Sequence, residues 1–362
     1  MYDDDFLLKK MNDRINDNAF RSLKLSDKII DFSSNDYLGI ATNQLLKNDK
    51  NDLNHGSKGS RLLFGNYELI EEVEKEVAKF HDADAALIFN SGYDANIGLL
   101  SSVPQRGDTI LYDYLSHASL RDGIRLSFAQ SYSFAHNDLN DLEKKLTQAT
   151  GNIFVVTESV FSMDGDQADI SALIHLANKF NAHLIIDEAH ATGVIGDLGE
   201  GLVQYNNLQK HIFARIHTFG KALGCHGAVV LGSLQLRNYL INFAKSFIYT
   251  TALPPISIAA IQKAYRLFPN LKNERTQINL LTKQFQLSSI KYDRLKSVTP
   301  IQIVLVPGNN AVKQLAKKLQ DAQLDIRPIL YPTVVKNMER LRIILHAFNT
   351  EAQLNQLIKL LQ

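Results

Sequence analysis

The chain has 362 residues, 45% apolar and 21% charged, a size and balance that suit a large folded domain with a smaller partner. Lys and Arg number 39 against 38 Asp and Glu, so a net charge of +1 gives no bulk attraction to nucleic acid or to a membrane surface. No apolar run has the length of a membrane span, the acidic start Met1-Tyr2-Asp3-Asp4-Asp5 is unlike a signal peptide, and the single Cys225 excludes an internal disulfide; the expected location is the cytoplasm.

Residues 1–30 are polar, with weak helical spacing at Phe6, Leu7, Met11 and Ile15, and read as an arm. A short strand at 29–32 runs into the polar turn 33–39, and a glycine-rich loop with Gly56, Gly59 and Gly65 follows. Across 68–80, Ile70, Val73, Val77 and Phe80 have the spacing of an amphipathic helix. Short apolar strands at 85–89, 109–112, 152–157, 183–186, 212–217 and 228–231 then alternate with helices such as 171–180. That pattern predicts an α/β domain with a mostly parallel central sheet buried on both faces. The character changes near Pro254-Pro255. Residues 256–290 read as helical; strands at 301–306, 324–329 and 341–345 and helices at 310–323 and 350–361 complete a small α+β unit. The expected division is an arm (1–45), a large domain (46–250) and a small C-terminal domain (251–362).

The chemistry concentrates at two strand ends. Leu184-Ile185-Ile186-Asp187-Glu188-Ala189-His190 reads as a buried strand delivering a carboxylate and an imidazole at its carboxyl end, the edge where open α/β sheets hold ligands. Lys221 follows a second strand, between Gly220 and Gly224, and could reach the same crevice. A carboxylate for a pyridinium nitrogen and a lysine for a Schiff base are the protein's half of pyridoxal phosphate (PLP) chemistry. Alone, Asp187 fits a helix cap or an ion pair equally well, and a lone lysine is usually a solvated surface charge. Phe219 and Leu223 beside Lys221 favour a desolvated amine.

Asp-Glu-Ala-His also spells the acidic box of many helicases, but that role needs Gly-x-x-x-x-Gly-Lys-[Ser/Thr]. Here Ala222 follows Lys221, and Arg215 stands where the first glycine belongs, so ATP-driven work is not expected. Ser91-Gly92-Tyr93 opens a helix after a strand; read plainly it is a Ser-Gly turn, read functionally it offers N–H groups to a phosphate, with the Thr218 hydroxyl adding to them. His117 is a candidate to stack on the cofactor ring, and His190 and Ser162 could reach its phenolic oxygen. Arg342, a charge on an apolar strand, could clamp a carboxylate.

Taken together these segments resemble the α-oxoamine synthases, a PLP-dependent family of the aspartate-aminotransferase fold (fold type I). The match runs nearly end to end through Phe32-Ser33-Ser34-Asn35-Asp36-Tyr37-Leu38-Gly39, Asn90-Ser91-Gly92-Tyr93-Asp94-Ala95-Asn96, Leu115-Ser116-His117-Ala118-Ser119-Leu120, Val160-Phe161-Ser162-Met163-Asp164-Gly165-Asp166, Asp187-Glu188-Ala189-His190-Ala191-Thr192-Gly193-Val194 and Thr218-Phe219-Gly220-Lys221. The resemblance implies that Lys221 holds PLP, Asp187 pairs with its ring nitrogen, His117 stacks, and His190 and Ser162 touch its phenolic oxygen. It assigns Ser91, Gly92, Tyr93 and Thr218 to the phosphate or ring edge, and Thr250 and Thr251 to the phosphate of the neighbouring subunit of a homodimer. Asn35 and Arg342 would bind the amino-acid carboxylate and Arg21 would lie near the acyl substrate; no metal is implied.

Ala189 to Gly196, Phe134-Ala135-His136-Asn137-Asp138 and Ile326-Arg327-Pro328 are similar to the branch that condenses L-alanine with a pimeloyl thioester, on CoA or acyl carrier protein, in biotin synthesis. Sister branches use glycine with acetyl-CoA or succinyl-CoA, or make α-aminoketone signals. The chain departs from the pattern in a short segment between Arg21 and Asn35, and at Ile70, Cys225, His226 and His346, positions that bear on substrate access.

Overall fold

The computed structural model describes residues 4–23, 25, 29–47 and 53–362; Met1-Tyr2-Asp3 and parts of the expected arm lie outside the described residues. Two compact units divide the chain. The larger holds Asn35–Ser162 and Gln167–Arg275; the smaller holds the described part of Met1–Ser34, Met163–Asp166 and Thr276–Gln362. The division therefore differs from a three-segment reading. Helix Pro255–Leu267 stays with the larger unit because it packs on helix Glu68–Phe80, and the arm contributes a strand to the smaller unit.

The strands, in chain order, are β1 (Ile30–Asp31), β2 (Ala85–Phe89), β3 (Thr109–Asp113), β4 (Gln130–Phe134), β5 (Ile153–Glu158), β6 (His183–Asp187), β7 (Ala214–Thr218), β8 (Ala228–Gly232), β9 (Ile301–Leu305), β10 (Leu324–Asp325), β11 (Arg327–Ile329) and β12 (Arg340–Ile344). In the larger unit seven strands form one sheet in the order β2-β8-β7-β6-β5-β3-β4. Only β8 runs against its neighbours. The parallel strands need crossover helices, so their inner residues are apolar on both faces: Ile110, Val156, Ile185 and Ile216 are buried with Leu99, Leu120 and Leu240 from the helices. Each such side chain contributes roughly 1.5–3 kcal/mol.

Strand β4 carries no apolar signature. It is the sheet edge, and Gln130, Ser131 and Tyr132 are exposed. Ser91, Asp138, Asp169 and Ser233 each cap the helix that follows by accepting a backbone N–H. The decisive consequence of the sheet is register. Glu158 of β5 lies opposite Asp187 of β6, and Asp187 opposite Ile216 of β7, so three carboxyl ends stand side by side.

The smaller unit has an antiparallel sheet β11-β12-β9 and a parallel pair β1-β10, with helices Asn309–Asp321 and Glu351–Leu361. The single strand expected over 324–329 is two. Leu324–Asp325 pairs with β1 and Arg327–Ile329 with β12, and between them the Ile326 N–H turns back to the Leu324 carbonyl. Helix Glu351–Leu361 begins with a capping box between Thr350 and Gln353. The arm helix Leu8–Asn16 buries none of its residues. Among the described residues no helix is long and apolar enough to cross a membrane.

Candidate active site

Asp187 ends β6 and is buried. Its Oδ1 accepts the Ala189 N–H at 2.9 Å and its Oδ2 accepts Asn96 Nδ2 at 2.8 Å. Asn96 reaches it from the first turns of helix Gly92–Ser102 and also donates to Ser119 Oγ at 2.9 Å. With that oxygen occupied as an acceptor, the Ser119 hydroxyl points its proton at His117 Nδ1, 2.7 Å away, and the Ser119 N–H meets the same nitrogen at 3.2 Å. The network thus assigns His117 the Nε2–H tautomer and links it to Asp187 through Asn96 and Ser119. Asn96 was absent from the residues singled out in the sequence. Its signal was a polar residue, one turn past Gly92, flanked by Ala95 and by the apolar run Ile97 to Leu100.

His190 lies on the loop after β6. Its Nδ1 is 2.7 Å from the Tyr37 hydroxyl and its Nε2 2.9 Å from Lys221 Nζ. Lys221 stands between Phe219 and Leu223, both fully buried, in the loop leaving β7. Adjacent parallel strands therefore bring the carboxylate, the imidazole and the amine to one edge of the sheet. Tyr37 is fully buried and is a second residue that sequence reading left inside a motif without a task.

The electrostatics follow from that crowding. Burial, then the charge of Asp187 one strand away, push the Glu158 carboxyl up to about 8, against the pull of Lys221 and of the His117 N–H that donates to Glu158 Oε1 at 2.7 Å. Partial burial of the His117 ring lowers its pKa, Asp187 opposes that shift, and Lys221 adds to it. Glu158 and His117 both respond to Asp187 and to Lys221, which places all four groups in one field.

At the start of helix Gly92–Ser102 the Ser91 hydroxyl caps the Asp94 N–H at 3.0 Å and donates to Asp94 Oδ2 at 2.8 Å. The helix end still presents backbone N–H groups that have no partner within the helix. Thr218 adjoins it: a Cβ added to Gly92 would sit 3.5 Å from Thr218 Oγ1. Tyr93 turns outward and donates to Asp122. Asn90 donates to Thr250 Oγ1 at 2.9 Å and to the Thr251 carbonyl at 2.7 Å, so both threonines are tied to the residue preceding Ser91 in the same chain. Ser162 is buried in the loop after β5, which the Val160–Gln167 bridge closes.

Asn35 Oδ1 is 3.5 Å from the Tyr37 hydroxyl. Arg21 and Arg342 belong to the smaller unit. Arg21 Nη2 donates to Thr333 Oγ1 at 3.0 Å, and Arg342 is half-buried on β12 opposite Ile303 and Arg327. The buried arginine of that strand is Arg340, paired with Asp164 and not anticipated from the sequence. His346 is a structural residue, bonded to Asn349 and Ser34, and Ile70 is core. Burial pushes the Cys225 thiol up to about 12, so it is inert at neutral pH. Among the described residues no cluster of His, Cys, Asp and Glu is arranged to hold a metal ion.

This donor set suits PLP. A helix N-terminus and the Thr218 hydroxyl match a phosphate dianion, Asp187 matches a pyridinium N–H, and Lys221 supplies the amine for the aldehyde. Comparison with known proteins agrees. The family model for aminotransferase class I and II matches residues 27–361. An 8-amino-7-oxononanoate synthase of Lysinibacillus sphaericus is 40% identical over 339 residues, covering 91% of this chain and 87% of that protein. One from Emericella nidulans is 39% identical over 366 residues, covering 92% and 89%. Among solved structures, the 8-amino-7-oxononanoate synthase of Francisella tularensis is 29% identical, with a TM-score of 0.77 over 92% of this chain and 97% of that one. A serine palmitoyltransferase from S. paucimobilis, solved with PLP and myriocin bound, has a TM-score of 0.89 over 99% and 96% at 23% identity, which speaks to the fold alone. The chain belongs to the PLP-dependent aminotransferase class I and II family of fold type I, on its α-oxoamine synthase branch.

Proposed function

We propose that the protein is an acyltransferase that condenses L-alanine with a pimeloyl thioester, releasing CO2 and the thiol and forming 8-amino-7-oxononanoate for biotin synthesis. The observation that carries this reading is Asp187 and Lys221 at one sheet edge, joined to relatives of that name over nine-tenths of the chain. PLP, when bound, supplies an electron sink for the carbanion formed at the amino-acid Cα.

Lys221 would hold the cofactor through its amine, and the same amine would serve as the base for the amino-acid Cα proton. Asp187, held by Asn96 and the Ala189 N–H, would pair with the ring nitrogen of PLP and favour its protonated form. His117 offers a ring face, with Nε2–H free to assist reprotonation of the product. His190 and Ser162 serve the phenolic oxygen; Ser91, Gly92, Tyr93 and Thr218 serve the phosphate end. By resemblance to the family, Asn35 and Arg342 are assigned to the substrate carboxylate and Arg21 to the acyl chain. Thr250 and Thr251 are assigned to the phosphate of a second copy in a homodimer working in the cytoplasm, with CoA or acyl carrier protein as the acyl donor's handle.

The test is to offer L-alanine or glycine with pimeloyl-, succinyl- and acetyl-thioesters and to follow free thiol. Turnover with alanine and the pimeloyl donor is expected. A preference for glycine with a short acyl group would reassign the chain to a sister branch.

A further inference from the structure

The residue that follows Asp187 is turned into the core. Glu188 is fully buried, and its Oε1 accepts the N–H groups of Leu202 at 2.8 Å and Val203 at 3.2 Å. Gly201 precedes them at φ +101, and a Cβ there would lie 2.7 Å from Glu188 Oε2, so only glycine lets the carboxyl lie against this turn. Oε2 itself has no hydrogen-bond partner and faces His217 Nε2 at 3.9 Å; that nitrogen is also fully buried and unpartnered. Two buried polar atoms left open toward each other call for an explanation.

Proton counting supplies one. Thr192 Oγ1 lies 2.7 Å from the Glu188 carbonyl, the i−4 back-bond usual for a threonine in a helical turn, and its one proton goes there. Its 2.8 Å contact with His217 Nδ1 must then have the ring N–H donating, which leaves a lone pair on Nε2. The His81 ring lies 4.1 Å from that of His217, tilted by 36°, with Nδ1 3.2 Å from Gln204 Oε1 and Nε2 3.0 Å from the Tyr265 hydroxyl; burial favours its neutral form. Arg215, whose Nη2 donates to the His81 carbonyl, adds a nearby cation that disfavours any imidazolium here. With Oε1 filled by two donors and Oε2 facing a lone pair, a carboxylate would put two acceptors in opposition.

We propose that Glu188 is a positioning residue that works as a neutral carboxylic acid, its Oε2 proton directed at the His217 Nε2 lone pair. The pair locks the loop that carries Asp187 and His190 to the strand that leads to Lys221. Roughly 1 Å of approach would bring Oε2 and Nε2 to bonding distance. Burial pushes the Glu188 carboxyl up to about 7, with Arg215, the Val203 and Leu202 N–H groups and Ser159 opposing. Among the described residues the Ser159 hydroxyl, buried and without a hydrogen-bond partner, is the one neutral side-chain donor that favours the carboxylate form of Glu188. The proposal rests on the assignment of Asp187, His190 and Lys221 to PLP, but not on the identity of either substrate.

The experiment compares infrared spectra of the full-length holoenzyme and its Glu188→Gln variant near pH 6, in H2O and D2O. The difference should contain the carbonyl band of a protonated carboxylic acid that shifts in D2O; Glu158, present in both proteins, cancels. A difference made only of ionised carboxylate bands overturns the proposal. Should Glu188→Gln fail to fold, 15N NMR of His217 in the unaltered protein decides: Nδ1–H supports the proposal and Nε2–H overturns it.

The positioning role is read separately, by PLP dissociation. Glu188→Gln, whose amide can donate to Nε2 while its oxygen keeps the Leu202 bond, should bind within about twofold of the parent. Glu188→Ala should release PLP between about 10- and 100-fold more readily, the range for groups that orient direct ligands. A folded Glu188→Ala that holds PLP like the parent removes the positioning role. Failure of alanine to perturb the cofactor spectrum would instead unseat the substrate reading and leave the infrared result standing.

Discussion

Two regions of the larger unit collect buried charge, and they treat it in opposite ways. Between helix Glu68–Phe80 and the loop before it, Arg61 pairs with Glu74 at 2.7 Å and Glu71 at 3.1 Å, while Arg237 reaches the second oxygens of both carboxylates at 3.0 Å. Asn66 and the Ile88 N–H take the remaining positions. Each carboxylate there meets a cation. At the sheet edge, Asp187 and Glu158 face neutral donors, His117 and Lys221. A structural ion cluster is closed, and a chemical site keeps capacity for a ligand.

The comparison can be broken from either side. Lys221→Ala removes the amine beside His190: the imine absorbance and turnover should vanish together while the melting temperature holds. Retained turnover would end the assignment of Lys221. Glu74→Ala strips the closed cluster and leaves Arg61 buried without its main partner. A loss of about 3–5 kcal/mol in denaturant unfolding is expected, with unchanged cofactor absorbance in the protein that remains folded. A loss under 1 kcal/mol would show that the cluster is solvated and its closure of no consequence.

Asp187→Asn removes the anion at nearly unchanged shape; its oxygen can still accept the Ala189 N–H, but its amide nitrogen then faces the Asn96 donor. The rate constant should drop by about 10²–10³-fold, on the scale of losing one preorganised electrostatic partner, with the far-UV spectrum intact. The smallest effect concerns pH. The folded pKa of Glu158, about 8, lies above its ordinary value of 4.5, so the folded chain binds this proton more tightly than the unfolded chain. The resulting stabilisation is complete in acid and is lost as pH rises from near 4.5 through about 8. Glu158→Gln should flatten the stability–pH curve over that window, as followed by urea midpoints; an unchanged slope would assign the titration to another group.

Much of this was legible before any coordinates. The apolar runs ending on Asp187 and before Lys221 announced a parallel sheet with its chemistry at one edge, and period-3.6 spacing marked helix Glu68–Phe80 to the residue. Strand β4 was not legible because an edge strand need not be apolar. Nor was the break at Ile326, since a continuous β-prone run does not say that its halves pair with different strands. Arg340 and Arg342 stand two apart and share one face of β12, so alternation does not tell them apart; what separates buried Arg340 from half-buried Arg342 is the Asp164 carboxylate, which comes from a distant loop.

By itself, then, the amino-acid order decided which groups exist and on which element ends they ride, because periodicity and strand-end position are local properties. Only the tertiary structure decided which of them meet. Glu158 raises its pKa through Asp187 because β5 and β6 are neighbours in register, although 29 positions separate the two residues. Asn96 and Ser119 join Asp187 to His117, and Glu188 meets His217, through the packing of helices and loops that no single segment encodes. Hydrogen bonds and Coulomb forces act over a few ångströms of space, and chain separation says nothing about that distance until the sheet is assembled.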